Sequence, residues 1–422
     1  MNPRDYLLNS FTAAIKAADP LNLVPQHLPN PPKGKTFVVG AGKAVAAMAL
    51  ATENAWPQDK PLEGIVVTRY GHALPTQRIK VMEASHPIPD RNGGYAAKQI
   101  LSAVKTLTND DLLICLLSGG GSSLLSLPIQ GITLKNLQDI TRQLLNCGAN
   151  IQEINTIRKH LSMIQGGRLA SICKAPILAL IISDVTGDAA THVASGPCTP
   201  DPTTCAEALA IIHHYELEVD SNIIAALSAP NGTNETPKPN NSVFDHVENR
   251  IIATARQSLD AAAQYFREIG IDSLILGDTV TGEAREIAKC YAALVREIKF
   301  HPQQLKAPIA LLSGGETSVT VKGNGRGGRN TEFLLSLLIA LDGMANVHAL
   351  ACDTDGIDGS EDNAGAIIAP DSLTRAMKNG LNPALSLFNN DAHPFFAKLG
   401  DLVVTGPTYT NVNDYRAILL FY

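Results

Sequence analysis

What this sequence lacks narrows the field first. Its seven cysteines (Cys115, Cys147, Cys173, Cys198, Cys205, Cys290 and Cys352) are odd in number and include no CxxC pair, which argues against a disulfide framework or a cysteine-based zinc site. Cys115 and Cys173 lie in or beside apolar runs, the ordinary setting of a free buried thiol. No uninterrupted apolar run approaches the roughly 18 residues of a membrane-spanning helix. Positive charge is not in excess: 34 Lys and Arg face 40 Asp and Glu, a net charge of −6, so no general basic field for nucleic acid is expected. The 11 histidines form no HExxH or similar ligand spacing, which removes a catalytic zinc. Low-complexity tracts and coiled-coil heptads are absent. The first twenty residues lack a cationic segment followed by an apolar one. Instead Leu7, Leu8, Phe11 and Ile15 recur at helical spacing behind Asp5, which predicts a docking helix rather than a targeting peptide. A reducing, cytoplasmic compartment is expected.

What is present fits a globular enzyme. A chain of 422 residues with 45% hydrophobic content can bury a large core and suggests two domains as the simplest division. Short apolar runs ending in Gly-rich turns stand at 36–40, 64–69, 112–118, 177–183, 251–255, 273–277, 308–313, 347–352 and 402–406. Separated by helix-length segments, they predict buried parallel strands in βα units. The stretch 229–242, APNGTNETPKPNNS, is the strongest linker candidate. The expected architecture is therefore α/β in two domains, 1–235 and 243–422, with the active site in the cleft between them.

Several turns carry chemistry. LLSGGGSSLL (116–125) and LLSGGETSVT (311–320) share a strand, then Ser-Gly-Gly, one residue and two hydroxyl residues. Such turns can present clustered backbone N–H groups to a phosphate or carboxylate, because a backbone approaches an anion closely only where side chains are missing. Ser118, Gly119, Gly120, Gly121, Ser122 and Ser123 in the first, and Ser313, Gly314, Gly315, Glu316 and Thr317 in the second, are binding candidates. FVVGAGKAVAAMA is neither a full dinucleotide fingerprint, since Val45 replaces the third small residue after Gly40 and Gly42, nor a Walker A loop, which its spacing does not match. What remains is Lys43, presented where a strand gives way to an Ala-rich helix and read as a cation held over an anion.

The segment VKGNGRGGRNTEFLL (321–335) sets Arg326 and Arg329 in a loop of small residues that flows into an apolar helix. Arginine in such a loop suits bidentate phosphate binding, and phosphoryl transfer asks chiefly for cations that neutralise the transferring oxygens. Acids follow two strands: Asp184 and Asp188 in SDVTGD, and Asp353, Asp355 and Asp358 in CDTDGIDG. The second group fails as a calcium loop, since Gly356 comes at loop position 4 and Ala364 falls at position 12. Magnesium held by one or two carboxylates plus phosphate oxygens fits better.

Taken together, GAGKA, SHPIPD (85–90), LLSGGGSSL, RKHLSMIQGGRLA (158–170), SDVTGD with SGPCTPDPTT, SGGETSVTVKGNGRGGRNTEF, DTDGIDG and TGPTYTNVND resemble the class II glycerate 2-kinases over essentially the whole chain, in order. The resemblance implies a larger Rossmann-like N-terminal domain and a smaller C-terminal MOFRL domain. It implies ATP-dependent phosphorylation of D-glycerate on its 2-hydroxyl with Mg2+ or another divalent cation. Lys43 and Arg329 match the family's catalytic pair. Asp184 is the candidate to receive the hydroxyl proton, and Asp188 and Asp353 are metal candidates. Ser85, His86, Asn330 and Glu332 join the substrate- or nucleotide-binding set. Thr331 stands where many relatives have Gln, and Tyr409 where many have Gly; neither departure removes a charged catalytic group. The partners expected are D-glycerate and ATP, with no nucleic acid and no membrane; the oligomeric state is left open, a homodimer being one option. Some relatives are labelled hydroxypyruvate reductases of tartrate and glyoxylate metabolism. That alternative needs an NAD(P)H site, which the broken fingerprint disfavours. A non-catalytic sensor of small acids would need the Gly turns but hardly both cations with two Asp clusters.

Overall fold

Two sheets of different construction organise the chain in the computed structural model, which describes residues 2–301 and 305–422. The described residues fall into two units. Pro20–Ile252 form one; the residues up to Asp19 and those from Ala253 onward form the other.

The 20–252 unit contains strands β1 (Thr36–Ala41), β2 (Leu62–Arg69), β3 (Ile79–Ala84), β4 (Leu112–Leu117), β5 (Ile177–Ile182) and β6 (Val247–Ala253), in the order β3-β2-β1-β4-β5-β6. β1 pairs in parallel with β2 and β4, β2 with β3, and β4 with β5. This order is that of the doubly wound dinucleotide-binding sheet, whose ligand crevice opens where the winding reverses, here between β1 and β4. β1, β4 and β5 are buried at every residue, as strands covered on both faces must be. The helix Val45–Ala55 is apolar nearly all round and correspondingly buried. It is tied to the start of β3 by one carboxylate: Glu53 accepts the N–H groups of Gln77, Arg78 and Ile79 at 2.7, 2.7 and 3.1 Å. Burial would raise the Glu53 pKa, but these three donors bring it below its ordinary value.

The other unit is built differently from the expectation of parallel βα units. Its strands are β7 (Asp272–Gly277), β8 (Gly282–Glu283), β9 (Ile309–Gly315), β10 (Thr317–Ser318), β11 (Val347–Asp353), β12 (Gly365–Ile368), β13 (Leu402–Val403) and β14 (Asp414–Leu420). The main sheet runs β13-β12-β11-β14-β9-β7, and only the β7–β9 pair is parallel. β14 lies between β9 and β11 and runs against both, so the ends of β9 and β11 meet the start of β14: Gly315 and Asp353 both pair with Asp414.

Alternate residues of these strands face opposite layers. Leu312, Leu350, Ala417 and Leu419 pack with the helices Pro3–Ala17 and Ala255–Glu268, whereas Leu311, Ala349, Ile418 and Leu420 pack with Ala284–Phe300 and Arg329–Leu341. The helix Pro3–Ala17 starts with Pro3 at its first position and an Asn2–Asp5 capping box. It docks by Leu7, Phe11 and Ala14, with Phe11 stacked on Tyr415. The docking helix is as expected, but it belongs to the unit formed by 253–422.

The division thus lies at 19/20 and 252/253, not between 235 and 243. The stretch 229–242 is no free linker: Thr236 is buried with its hydroxyl donating to Asp201 at 3.0 Å, and Glu235 accepts the N–H of Cys205 at 2.9 Å. Buried polar partners fix a stretch whose composition suggested a linker.

Candidate active site

In the 20–252 unit, the carboxyl ends of β1, β4 and β5 deliver three of the expected segments to one edge of the sheet. The turns after β1 and β4 lock together. Lys43 donates its N–H to the Gly119 carbonyl at 2.8 Å, the Ser118 hydroxyl accepts the N–H of Ala44 at 3.0 Å, and Ser118 donates its N–H to Ala41 at 3.2 Å. Only glycine fits at position 42: its φ is +143°, and a Cβ there would lie 2.1 Å from the Ser118 hydroxyl. Gly120, at φ +81°, is packed closely by two side chains: a Cβ on it would meet His86 at 2.8 Å and Lys43 Cγ at 3.4 Å. Gly40, Gly42, Lys43, His86 and Ser118–Gly121 therefore form one cluster.

Ser122 and Ser123 continue the turn. The Ser122 and Ser195 hydroxyls are 2.8 Å apart, Ser195 is 3.1 Å from Asn155 Oδ1, and Ser123 donates to the Gly120 carbonyl at 3.3 Å. Asp184 follows β5 on the same edge, and Asp188 sits four residues on in a turn with φ +54°. Ser85 precedes His86 and donates its N–H to Asp90 at 3.2 Å.

In the other unit the centre is Arg329, the first residue of its helix. Its Nε is 2.8 Å from Asp414, Nη1 2.6 Å from Glu316 and Nη2 2.9 Å from Asp353. Burial alone would lower the pKa of this guanidinium; Asp414, Glu316 and Asp353 raise it well above its ordinary value. Asp414 also accepts from Asn330 Nδ2 at 2.8 Å and from the fully buried Arg416 at 2.5 Å. Asp358 caps the same helix, accepting the N–H groups of Asn330 and Thr331, each at 2.9 Å. Burial pushes the Asp358 carboxyl up, against those bonds.

The remaining expected residues are placed less favourably for ligand binding. Arg326 is exposed, with Glu361 at 3.4 Å, so Arg329 is the fixed arginine of the pair. Glu332 is buried against Arg285, 2.5 Å from its Nη2, and Asn390. Ser313, Gly314 and Gly315 lie inside β9 rather than in a turn before a helix. A Cβ on Gly315 would come within 2.3 Å of the Val280 backbone, and Arg416 occupies the Gly314 carbonyl and the Thr317 hydroxyl. The likeness between 116–125 and 311–320 is therefore one of sequence: the first is a strand, a turn and the short helix Gly121–Leu124, the second a packed strand.

Asp353 fits poorly as a metal ligand. One of its oxygens accepts from Arg329 and the other from the Asp355 N–H at 3.0 Å. Among the described residues, no grouping of three ligand side chains includes Asp184, Asp188 or Asp353. Asp353 is thus engaged in orienting the arginine.

Asp414 escaped sequence reasoning, although it closes the TNVND segment. Its strand, DYRAILL, carries two charges, and an alternation broken by charge does not look like the middle of a sheet. Asp414 and Arg416 neutralise each other there.

Comparison with known proteins agrees with this construction. The chain matches the DUF4147 family, a domain of unknown function, over residues 6–228, and the MOFRL family over 309–414. A D-glycerate 2-kinase of Thermotoga maritima is 40% identical over 95% of this chain and 94% of its own length. The chain belongs to the glycerate 2-kinase family. A crystal structure of a glycerate kinase from Thermotoga maritima superposes on it with a TM-score of 0.87 and 38% identity, covering 99% of each chain. An Agrobacterium vitis relative with the provisional name hydroxypyruvate reductase is 48% identical over all of this chain and 95% of its own. Within the glycerate 2-kinase family, the Lys43 turn falls in the DUF4147 match, and Arg329 with its three acids in the MOFRL match or at its last residue.

Proposed function

We propose that the protein is a D-glycerate 2-kinase, transferring the γ-phosphoryl group of ATP to the 2-hydroxyl of D-glycerate to give 2-phosphoglycerate and ADP. The observation that carries this reading is Lys43, set at the switch point of the 20–252 sheet in a turn whose backbone is locked to the 118–121 turn. Ligands of such sheets bind at that point, and a transferring phosphoryl group needs cations fixed before the reaction.

The reading gives Lys43 and Arg329 each a part in phosphoryl transfer. Lys43 offsets charge on the transferring oxygens. Arg329 is kept protonated and oriented by Asp353, Asp414 and Glu316. The glycerate hydroxyl oxygen attacks phosphorus, the bond to the ADP oxygen breaks, and Asp184 accepts the hydroxyl proton.

The second reading, hydroxypyruvate reduction by NAD(P)H, has one observation in its favour: the strand order is also that of dinucleotide-binding sheets. Against it, Val45 stands where the third small residue of the fingerprint packs helix on strand. Its Cγ2 lies 2.8 Å from where a Gly40 Cβ would be, so that space is already filled.

The test incubates the protein with ATP, magnesium and D-glycerate, follows ADP release, and identifies the product by phosphorus NMR. A parallel incubation holds NADH or NADPH with hydroxypyruvate. Formation of 2-phosphoglycerate, lost in Lys43→Ala, supports the kinase; hydroxypyruvate-dependent oxidation of the nicotinamide without ADP release overturns it.

A further inference from the structure

The run Arg158-Lys159-His160 closes the helix Ile151–His160, and two of its three basic side chains are consumed internally. Lys159 is fully buried, 3.2 Å from Asp201 and 2.9 Å from the Thr191 hydroxyl. His160 is fully buried, with Nδ1 2.8 Å from the Thr156 carbonyl and Nε2 3.4 Å from Glu235. Arg158 is different. It lines a crevice with Ser122, Ser123, Gln165 and the apolar side chains of Leu137 and Ile157, and no acidic side chain among the described residues pairs with it. Burial alone pulls its pKa down to about 10, with no carboxylate opposing the shift.

A half-buried guanidinium without a counterion gains by taking one. Its place in the last helical turn supplies little of that gain. A half-buried cation lining a narrow crevice with two serines, paired with no acid among the described residues, is placed to take an anion from outside.

The crevice shares its wall with the proposed site. Ser122 and Ser123 belong to the turn whose Gly119 carbonyl accepts the Lys43 N–H, and Gln165 braces that turn by donating to the carbonyls of Ser122 and Leu125 at 2.7 and 3.0 Å. Asn155, one helical turn before Arg158, reaches the same turn through Ser195.

The kinase reading leaves one charge unassigned, the carboxylate of glycerate, since Lys43 and Arg329 are given to phosphoryl transfer. We propose that Arg158 recognises the carboxylate of the acid substrate, its guanidinium fork holding the two oxygens while the Ser122 hydroxyl supports them. One guanidinium, the Ser122 hydroxyl and apolar walls suit a planar monoanion. A triphosphate would ask for more than one cation.

This inference rests on the kinase reading, and its test separates the two. Michaelis constants for D-glycerate and for ATP are measured in wild type, Arg158→Lys and Arg158→Met. Arg158→Met raises the D-glycerate constant by roughly 10–100-fold, the effect of losing a charge-assisted pair, and leaves the ATP constant within about twofold. Arg158→Lys falls between. Thermal unfolding supplies a readout independent of turnover: D-glycerate or hydroxypyruvate, added without nucleotide, stabilises wild type but not Arg158→Met. Without ligand, Arg158→Met is at least as stable as wild type, because no native partner is lost.

An unchanged D-glycerate constant, or a rise confined to ATP, overturns the assignment while leaving the kinase intact. Loss of stability in unliganded Arg158→Met overturns it as well. A wild-type protein without kinase activity overturns the kinase reading, and the carboxylate-induced stabilisation then still decides the role of Arg158.

Discussion

Arg329 shows how demanding a single side chain can be. Its three nitrogens each meet a different acid, Asp414, Glu316 and Asp353, and only a planar fork can do so at once. Lysine keeps the charge and loses that geometry. Arg329→Lys should therefore lower kcat by roughly 10²–10³, the cost of one pre-organised electrostatic donor, with a native circular dichroism spectrum and an unfolding temperature lowered by the pairing that two nearly buried acids lose. Near-native turnover in steady-state assays would remove Arg329 from the reaction. If Lys43 serves the same phosphoryl group, the losses are also coupled. Lys43→Ala combined with Arg329→Lys should then lose much less than the product of the two single effects, since groups acting on one transition state do not add. Full multiplicativity of the kcat losses would show that the two cations act separately.

Secondary elements here are joined by a few buried polar ties, and Glu53 between the helix Val45–Ala55 and the start of β3 is the clearest. Its pKa lies below the ordinary 4.5 in the folded chain. The stabilisation it gives is thus present above 4.5 and lost as pH falls through the lowered folded value. Glu53→Gln should cost about 2 kcal/mol near neutrality, the scale for hydrogen bonds to a charged group. The difference from wild type should shrink in denaturant titrations at progressively lower pH below 4.5. A gap that does not change with acid would mean the charge contributes nothing.

At this scale the sequence is most readable where strands are wholly apolar. TFVVG, LLICLLS and ILALIIS become β1, β4 and β5 with little error. β3, β12 and β14 are hard to see because IKVMEA and DYRAILL are interrupted by charge and GAII is short. The proposed site divides in the same way. Lys43, Ser118–Gly121 and Arg329 are legible because glycine turns and basic loops depend on local backbone. Asp414 is not, nor is the proposed role of Arg158, because their meaning depends on what surrounds them in space: Arg416 and Arg329 for the first, and the lack of a paired acid among the described residues for the second.

The molecule as a whole is discontinuous in sequence. Its first helix packs within the unit completed by residues 253–422, through Leu7, Phe11 and Ala14 against Leu259, Ala262 and Phe266. Phe11→Ala, at a position 1% exposed, should cost about 3–5 kcal/mol, and calorimetry should show the loss in the transition of that unit. A mutant with an unchanged transition would mean that the helix is only loosely attached.

The position of β14 also has a meaning in time. A ribosome delivers β9 and β11 before the strand that must lie between them, and the acid at the start of that strand is the one Arg329 Nε requires. During synthesis the 20–252 sheet can close while the nascent chain is still growing, because all of its strands precede the second sheet. The Arg329 clamp is denied to every shorter intermediate. A nascent chain halted before residue 414 would expose the edges of β9 and β11 and lack the clamp at once, so the competence of the arginine and the end of the polypeptide's vulnerability to misassembly arrive with the same seven residues.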